Sequence, residues 1–366
     1  MIAVALRDVF QAVIVPRAVN TALRISRYLI RVLWRVWPVI AYAVYRTDDR
    51  KREDFFGSFA PFSLVANLVV WVAMLVLGWG LFFYGIRGQL HPQGLTFGAC
   101  VYYAGASLLT IGYGDVVAVT GFARIMSLLA AAGGLGVLAV VTSFLFAVFG
   151  AFQVRETFVV TIGARAGVPP SGVGLLTVHA RGMQDELAQV FRDAQTWTAR
   201  IMESHLAYPV LVMFRSSHDY ESWVATLGTL LDAAALILTT IDDRESPALQ
   251  TAGQARIMFE LGRHLTSDFA GYFDVMQPAN GGPGVERHEF DDACAQLEQA
   301  GYRLREREQS WLEFSRFRSA YGGQLNALAR WLEIPPIQWV GDRSPIAPHG
   351  KHVTEARSYP HEQERR

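Results

Sequence analysis

Two long stretches of this chain carry no charge, and no ordinary globule can bury both. Residues 61–84, PFSLVANLVVWVAMLVLGWGLFFY, hold no Asp, Glu, Lys or Arg over 24 positions. As a helix at about 1.5 Å per residue they extend roughly 36 Å, enough to cross a hydrocarbon core of about 30 Å. Trp71, Trp79, Phe82, Phe83 and Tyr84 make the stretch aromatic toward its end, as membrane interfaces favour. Residues 125–152, IMSLLAAAGGLGVLAVVTSFLFAVFGAF, are equally uncharged, and Arg155 and Glu156 follow them. A soluble helix of either length needs a polar face. The pattern predicts two spans, 61–84 and 122–152, the second long enough to tilt or protrude.

Charge is distributed accordingly. Residues 1–55 hold ten Lys/Arg against five Asp/Glu, a net of +5, and residues 153–366 hold 21 against 27, a net of −6. Between them only Arg87, Arg124 and Asp115 are charged. A basic stretch ahead of an uncharged middle points to a lipid bilayer as partner and away from nucleic acid. Arg46, Arg50, Lys51 and Arg52 precede the first span and Arg155 follows the second. The excess of basic residues on one side predicts a multi-pass protein of the plasma (inner) membrane, with both termini cytoplasmic and residues 85–121 outside or re-entrant. Cys100 and Cys294 then lie in different compartments, so no disulfide or zinc spacing is expected.

The flanks divide further. Residues 1–57 read as a cytoplasmic juxtamembrane segment. Within it, Arg24, Arg27, Arg31 and Arg35 share one face of a helix over 22–45, as expected of an amphipathic helix on the inner leaflet. An arginine-rich voltage sensor needs partner spans, which the preceding sequence lacks; partial insertion ended by Pro38 is the other alternative. Residues 223–241 are just long enough to span, but Asp232 at their centre would cost about 3 kcal/mol on insertion scales. They read as a buried helix of a soluble domain. Other periodic segments near 185–206, 248–273, 287–300 and 305–333 make 156–343 an all-α cytoplasmic domain. Its breaks are GVPPSG (167–172) and NGGPG (280–284), TIGARAG (161–167) reads as a linker, and 344–366 as a disordered tail.

Between the two spans lies LLTIGYGDVV, residues 108–117. Non-helical backbone at membrane depth is tolerated only where it lines a polar path or is buried in protein. Potassium must shed its water to pass, and rings of backbone carbonyls replace it. Carbonyls that all point inward need backbone angles an L-residue resists, and Gly112 and Gly114 supply them. Thr110 adds a hydroxyl at the inner mouth, Ile111 and Tyr113 pack behind the strand, and Asp115 concentrates cations at the outer mouth.

Thr110-Ile111-Gly112-Tyr113-Gly114-Asp115 resembles the filter signature of the two-span, pore-only bacterial potassium channels. The resemblance covers roughly residues 58–155 and implies a pore domain. In it, 97–109 (FGACVYYAGASLL) is a re-entrant pore helix, 110–115 is the filter, and K+ meets the carbonyls of Thr110, Ile111, Gly112 and Tyr113. Gly134 falls where such channels often carry a gating glycine, and Arg124 where they have an arginine. One filter strand per chain implies a homotetramer. The family pattern also implies that the face of Leu138, Thr142 and Phe146 lines the cavity, with Phe146 where inner helices converge; packing against the first span is the alternative. Gly133, Gly134 and Gly136 read equally as hinge or as close-packing surface. Ala106, Leu109 and Ala118 depart from common family residues; Ala106 stands where several relatives carry a glutamate that bonds the filter aspartate, which leaves Asp115 to rely on Tyr102, Tyr103 or water.

The expected fold is an α-helical membrane protein: two transmembrane helices, a re-entrant pore helix with filter, and an all-α C-terminal domain. The expected function is a potassium-selective channel gated by inner-helix movement coupled to that domain. The competing reading is a membrane-anchored sensor or scaffold in which the pore is secondary. No enzyme is expected, since His205, His218–Asp219 and the Glu260/His264 pair sit in no nucleophile or HExxH motif. No cofactor is expected beyond K+ as cargo, and an unidentified cytoplasmic ligand stays among the candidate partners.

Overall fold

The computed structural model describes residues 1–14, 25–167, 169–180, 184–216, 221–242, 246–275, 284–335, 337, 339 and 340. These are mostly helical. Helix α1 (Ile2–Val9) runs into a π-helical turn at Phe10–Ile14. Then come α2 (Ile25–Val44), α3 (Asp49–Gly85), α4 (Phe97–Leu108) and α5 (Gly121–Ala166). The C-terminal unit holds α6 (Gly172–His179), α7 (Gln184–Ala207), a 3-10 turn at Pro209–Met213, α8 (Trp223–Thr239), α9 (Ser246–Tyr272), α10 (Arg287–Ala300), α11 (Arg307–Ser319) and α12 (Gly322–Trp331). A two-stranded ribbon pairs β1 (Leu90–His91) with β2 (Val117–Ala118), with Leu90 opposite Ala118.

Helices α3 and α5 are long and apolar enough to cross a membrane. Side chains start them: the Asp48 carboxylate accepts from Lys51 N, and Thr120 Oγ1 accepts from Ala123 N. Their outer surfaces are apolar, with Val65, Val69, Leu77 and Leu81 exposed on α3 and Leu128, Leu135 and Phe146 on α5. An apolar surface that large is stable only against lipid or other protein.

Helix α8 contrasts with them. It is also apolar, yet 16 of its 17 residues are buried by the surrounding helices. Asp232 at its centre is paired with Arg318 of α11, accepts from Tyr321 Oη at 2.5 Å, and is sealed from solvent. The same guanidinium donates to the Trp339 carbonyl. A buried charge with this many partners explains how the helix tolerates aspartate at midpoint.

Several expectations change. Helix α2 forms and runs through Pro38, but its buried side is occupied by protein. Trp34 packs on Phe56, Phe59 and Trp331 and donates to the Trp331 carbonyl at 3.3 Å, and Trp37 stacks on Phe55. Arg31 and Arg35 stay exposed, Arg27 lies over the Tyr272 ring, and Arg24 falls outside the described residues. Residues 2–9, expected in a cytoplasmic segment, pack on Trp71, Leu75 and Gly78 in the middle of α3. TIGARAG is no linker: α5 continues 14 residues past the expected span end, to Ala166. The segment 305–333 is two helices, α11 and α12, broken at Ala320–Tyr321. Helix α6 follows directly on the Pro-Pro turn, capped by Ser171 Oγ, where only a break was expected. The tail 344–366 lies outside the described residues.

Candidate ion pathway

The site begins with how α4 is held. Thr96 Oγ1 caps its start, accepting from Ala99 N. Tyr103 packs edge-on against Phe83 of α3, and its hydroxyl lies 2.6 Å from Ser127 Oγ of α5. One tyrosine thus fixes α4 to both long helices. Tyr103 is therefore not the partner of Asp115. Tyr102 is the tyrosine beside that carboxylate, and its ring stacks on Tyr113 with 6.2 Å between centroids and 8° between planes.

After Leu108 the chain leaves the helix without leaving its carbonyls. Thr110 N donates to Ser107 O at 3.1 Å, Ile111 N to Ala106 O at 2.8 Å, and Gly112 N to the same oxygen at 3.4 Å. The amides of the loop thus face the C-terminal end of α4. Its backbone then alternates: φ is +57° at Thr110, +62° at Gly112 and +84° at Gly114, while Ile111 and Tyr113 keep negative φ. When right- and left-handed residues alternate, successive peptide planes tilt the same way, with N–H groups on one side and carbonyls on the other. No donor among the described residues binds the carbonyls of Thr110 to Tyr113. Threonine at positive φ costs about 1–2 kcal/mol, and such strain gathers at functional sites. The β1–β2 ribbon joins the segments on either side of α4 and the loop, with Arg124 Nε donating to Ala118 O at 3.1 Å.

The remaining sequence candidates lie along α5. Gly134 abuts the end of α4: a Cβ there would stand 2.0 Å from the Leu108 carbonyl oxygen, whereas Gly133 and Gly136 meet nothing within 4 Å. Leu138, Thr142 and Phe146 are exposed, and the Thr142 hydroxyl is satisfied by its own helix at Leu138 O. They do not pack on α3. Val137 and Val141 do, in a cluster with Trp71, Leu75 and Leu108.

Sequence reasoning missed what holds the lower end of α5. Arg155 was expected at a membrane flank, yet it is buried to 1 % exposure. Its guanidinium donates to the carbonyls of Leu211 at 2.8 Å and Phe214 at 2.9 Å and pairs with Glu156 at 2.9 Å. Trp197 Nε1 donates to its backbone carbonyl. His205 lies 3.4 Å from the guanidinium, between the Trp223 and Phe269 rings. Burial first, and the Arg155 charge second, hold this imidazole well below its usual range, so it is neutral at neutral pH. A signal was present. The buried positions 148, 155, 159, 162 and 166 keep helical spacing past the apolar run, and Arg155 sits on that face. Of the other considered residues, Glu260 pairs with Arg263 and His264 with Asp268, all on an exposed helix face. His218 and Asp219 lie outside the described residues.

A family profile described as an ion channel matches residues 69–151. That stretch runs from the middle of α3 through α4 and the filter-like loop to most of α5. The uncharacterized membrane protein YdjJ of Bacillus subtilis (strain 168) is 21 % identical over 248 residues, covering 66 % of this chain and 68 % of that protein. No solved structure matches. The chain thus has two helices long and apolar enough to cross a membrane, and the stretch from the middle of the first into the second is similar to ion-channel domains.

Proposed function

We propose that the protein is a potassium-selective channel, a homotetramer whose TIGYGD loops together form the filter. The observation that carries this reading is the alternating backbone at Thr110, Gly112 and Gly114, with its free carbonyls and its amides tied back to α4. A row of unpaired carbonyls is costly in a membrane unless a cation takes the place of the missing donors. One row cannot enclose an ion, and four related by rotation can. In this arrangement Asp115 lies at the outer mouth and the C-terminal dipole of α4 favours a cation in the cavity. Leu138, Thr142 and Phe146 line that cavity, and four Phe146 rings form its inner constriction. The C-terminal helical unit is cytoplasmic and regulates the pore through the buried grip on Arg155.

The test is the reversal potential of purified protein in a planar bilayer, with potassium on one side and sodium on the other. A hundredfold preference for potassium gives about 118 mV, at about 59 mV per tenfold for a monovalent charge. Real current that reverses near zero refutes potassium selectivity. Gly112→Ala is expected to abolish the flux and leave the tetramer intact in cross-linking. Flux that survives this change refutes the filter assignment.

A further inference from the structure

The N-terminal helix lies where no sequence feature places it. Three observations fix it beside α3. A Cβ on Gly78 would fall 2.7 Å from Ile2 Cγ1 and 3.2 Å from its backbone nitrogen, so only glycine admits α1 at this distance. Ala5 and Val9 join Trp71, Leu75, Leu108, Val137 and Val141 in one buried cluster. Asp8, 1 % exposed, accepts from Trp71 Nε1 at 2.7 Å and from Ser26 N and Oγ at 3.1 and 3.3 Å.

Depth follows from position along α3. Trp71 and Gly78 lie ten and 17 residues into the expected span that begins at Pro61, or about 15 and 26 Å at 1.5 Å per residue. The side of α1 turned away from α3 exposes Val4, Leu6 and Phe10 with Arg7 among them, whose long stem carries its charge toward the headgroups, and Val65 and Val69 are exposed elsewhere on α3. An acidic residue at hydrocarbon depth is expensive unless it is satisfied by protein, and Asp8 is satisfied by three donors.

We propose that residues 2–14 form a further membrane-embedded element, which enters the bilayer part-way beside α3. Gly78 seats it, Asp8 fastens it, and its outer side meets lipid acyl chains. Because Val9 shares a cluster with Val137 and Val141, it also braces α5 from behind. The proposal needs α3 to cross the membrane and is independent of ion selectivity.

The test places a bimane fluorophore at Val4→Cys in the full chain carrying Cys100→Ala and Cys294→Ala. The probe is attached in detergent before reconstitution. Acyl-chain exposure is read with brominated lipids and water exposure with iodide, with Val69→Cys and Leu312→Cys as lipid and aqueous references. The expected result is bromine quenching equal to that at position 69, and about tenfold less iodide quenching than at position 312. Iodide quenching like that at 312 overturns the proposal, since α1 then lies in water. Resistance to both quenchers overturns it too, because a second copy of the chain then covers this side. Adding Gly78→Leu is expected to move the Val4 probe from bromine to iodide quenching and leave the Leu312 probe unchanged. Bromine quenching that persists in this variant overturns the seat at Gly78.

Discussion

Three glycines lie within four residues of α5, and the structure gives them opposite expectations. A Cβ on Gly134 would stand 2.0 Å from the Leu108 carbonyl oxygen and 2.8 Å from its carbonyl carbon. These are backbone atoms at the end of α4 that leads into Thr110, so no rotamer change relieves the clash. An ordinary carbon–oxygen contact is about 3.3 Å, which asks the end of α4 to retreat by about 1.3 Å. Overpacking of a tight site costs about 1–3 kcal/mol, and Gly134→Ala belongs at the upper end. Gly133 and Gly136 meet nothing within 4 Å. Alanine there gains about 0.8–1.0 kcal/mol of helix propensity. Alanine at 134 gains the same propensity, so the two kinds of substitution are separated by the overpacking cost, about 3 kcal/mol, a factor of about 150 in an equilibrium constant. The assay is the thermal midpoint of the full chain in detergent, measured beside cation flux in vesicles. Gly134→Ala is expected to lower the midpoint and abolish flux, and Gly133→Ala and Gly136→Ala to preserve both. A hinge would make all three lose flux alike, with stability intact. That pattern, or Gly136→Ala as destabilising as Gly134→Ala, refutes the packing argument.

Other residues make equally definite expectations. Arg155→Met strips the donors from the Leu211 and Phe214 carbonyls and leaves Glu156 unpaired, at a cost of about 3–5 kcal/mol; faster amide exchange over 209–214 is the readout, and unchanged protection contradicts it. His205 has a lowered pKa in the fold, so its contribution is complete above the unfolded value of about 6.5 and is lost as pH falls below it. Stability is expected to fall with pH below that value, and His205→Phe is expected to flatten this part of the stability–pH curve. A curve unchanged by His205→Phe rules out the buried neutral imidazole as its cause. Asp232→Ala leaves Arg318 buried without its carboxylate and is expected to cost about 3–5 kcal/mol. The double change Asp232→Leu with Arg318→Met should lose much less, and equal losses in thermal denaturation argue against the ion pair.

How much could be read from the sequence differs between parts of the molecule, for physical reasons. Both long helices were legible because a bilayer requires a run of uncharged residues, and that requirement is local. The filter-like loop was legible because alternating handedness needs glycine at fixed spacing, and Gly112 and Gly114 stand where φ is positive. Positive φ at Thr110 was not legible, since threonine carries no such preference. The helices after 172 were mostly found from periodicity, but α11 and α12 were merged because their break at Ala320–Tyr321 lacks a proline, with Gly322 already inside α12. Tertiary partners were the blind spot. Arg155 looked like a membrane flank, and the local sequence around Asp8 names no partner for it. Each is buried by residues distant in sequence, Leu211 and Phe214 for one and Trp71 for the other.

Those distant partners converge on one short segment. The turn at Pro209–Met213 and the two residues after it lie between the lower ends of α3 and α5. Arg155 of α5 holds the carbonyls of Leu211 and Phe214, and the Phe214 ring packs on Phe149 and Phe152 of the same helix. The next residue, Arg215, faces the other way. It donates to the carbonyls of Leu332 and Glu333 at 2.7 Å each, lies 3.8 Å from Glu53 of α3, and covers the Phe56 ring. Burial pulls its pKa down from the usual guanidinium value, with Glu53 and Glu333 opposing. Two buried arginines thus tie one segment to both long helices and to the end of α12. Separating the lower end of α5 from α3 exposes two guanidinium sites at once, each holding charge-assisted bonds of about 1.5–3 kcal/mol. A displacement of α5 that keeps those bonds must carry the 209–215 segment and the end of α12 with it. Under the proposed function, this is the route by which a change in the C-terminal unit reaches the face of Phe146.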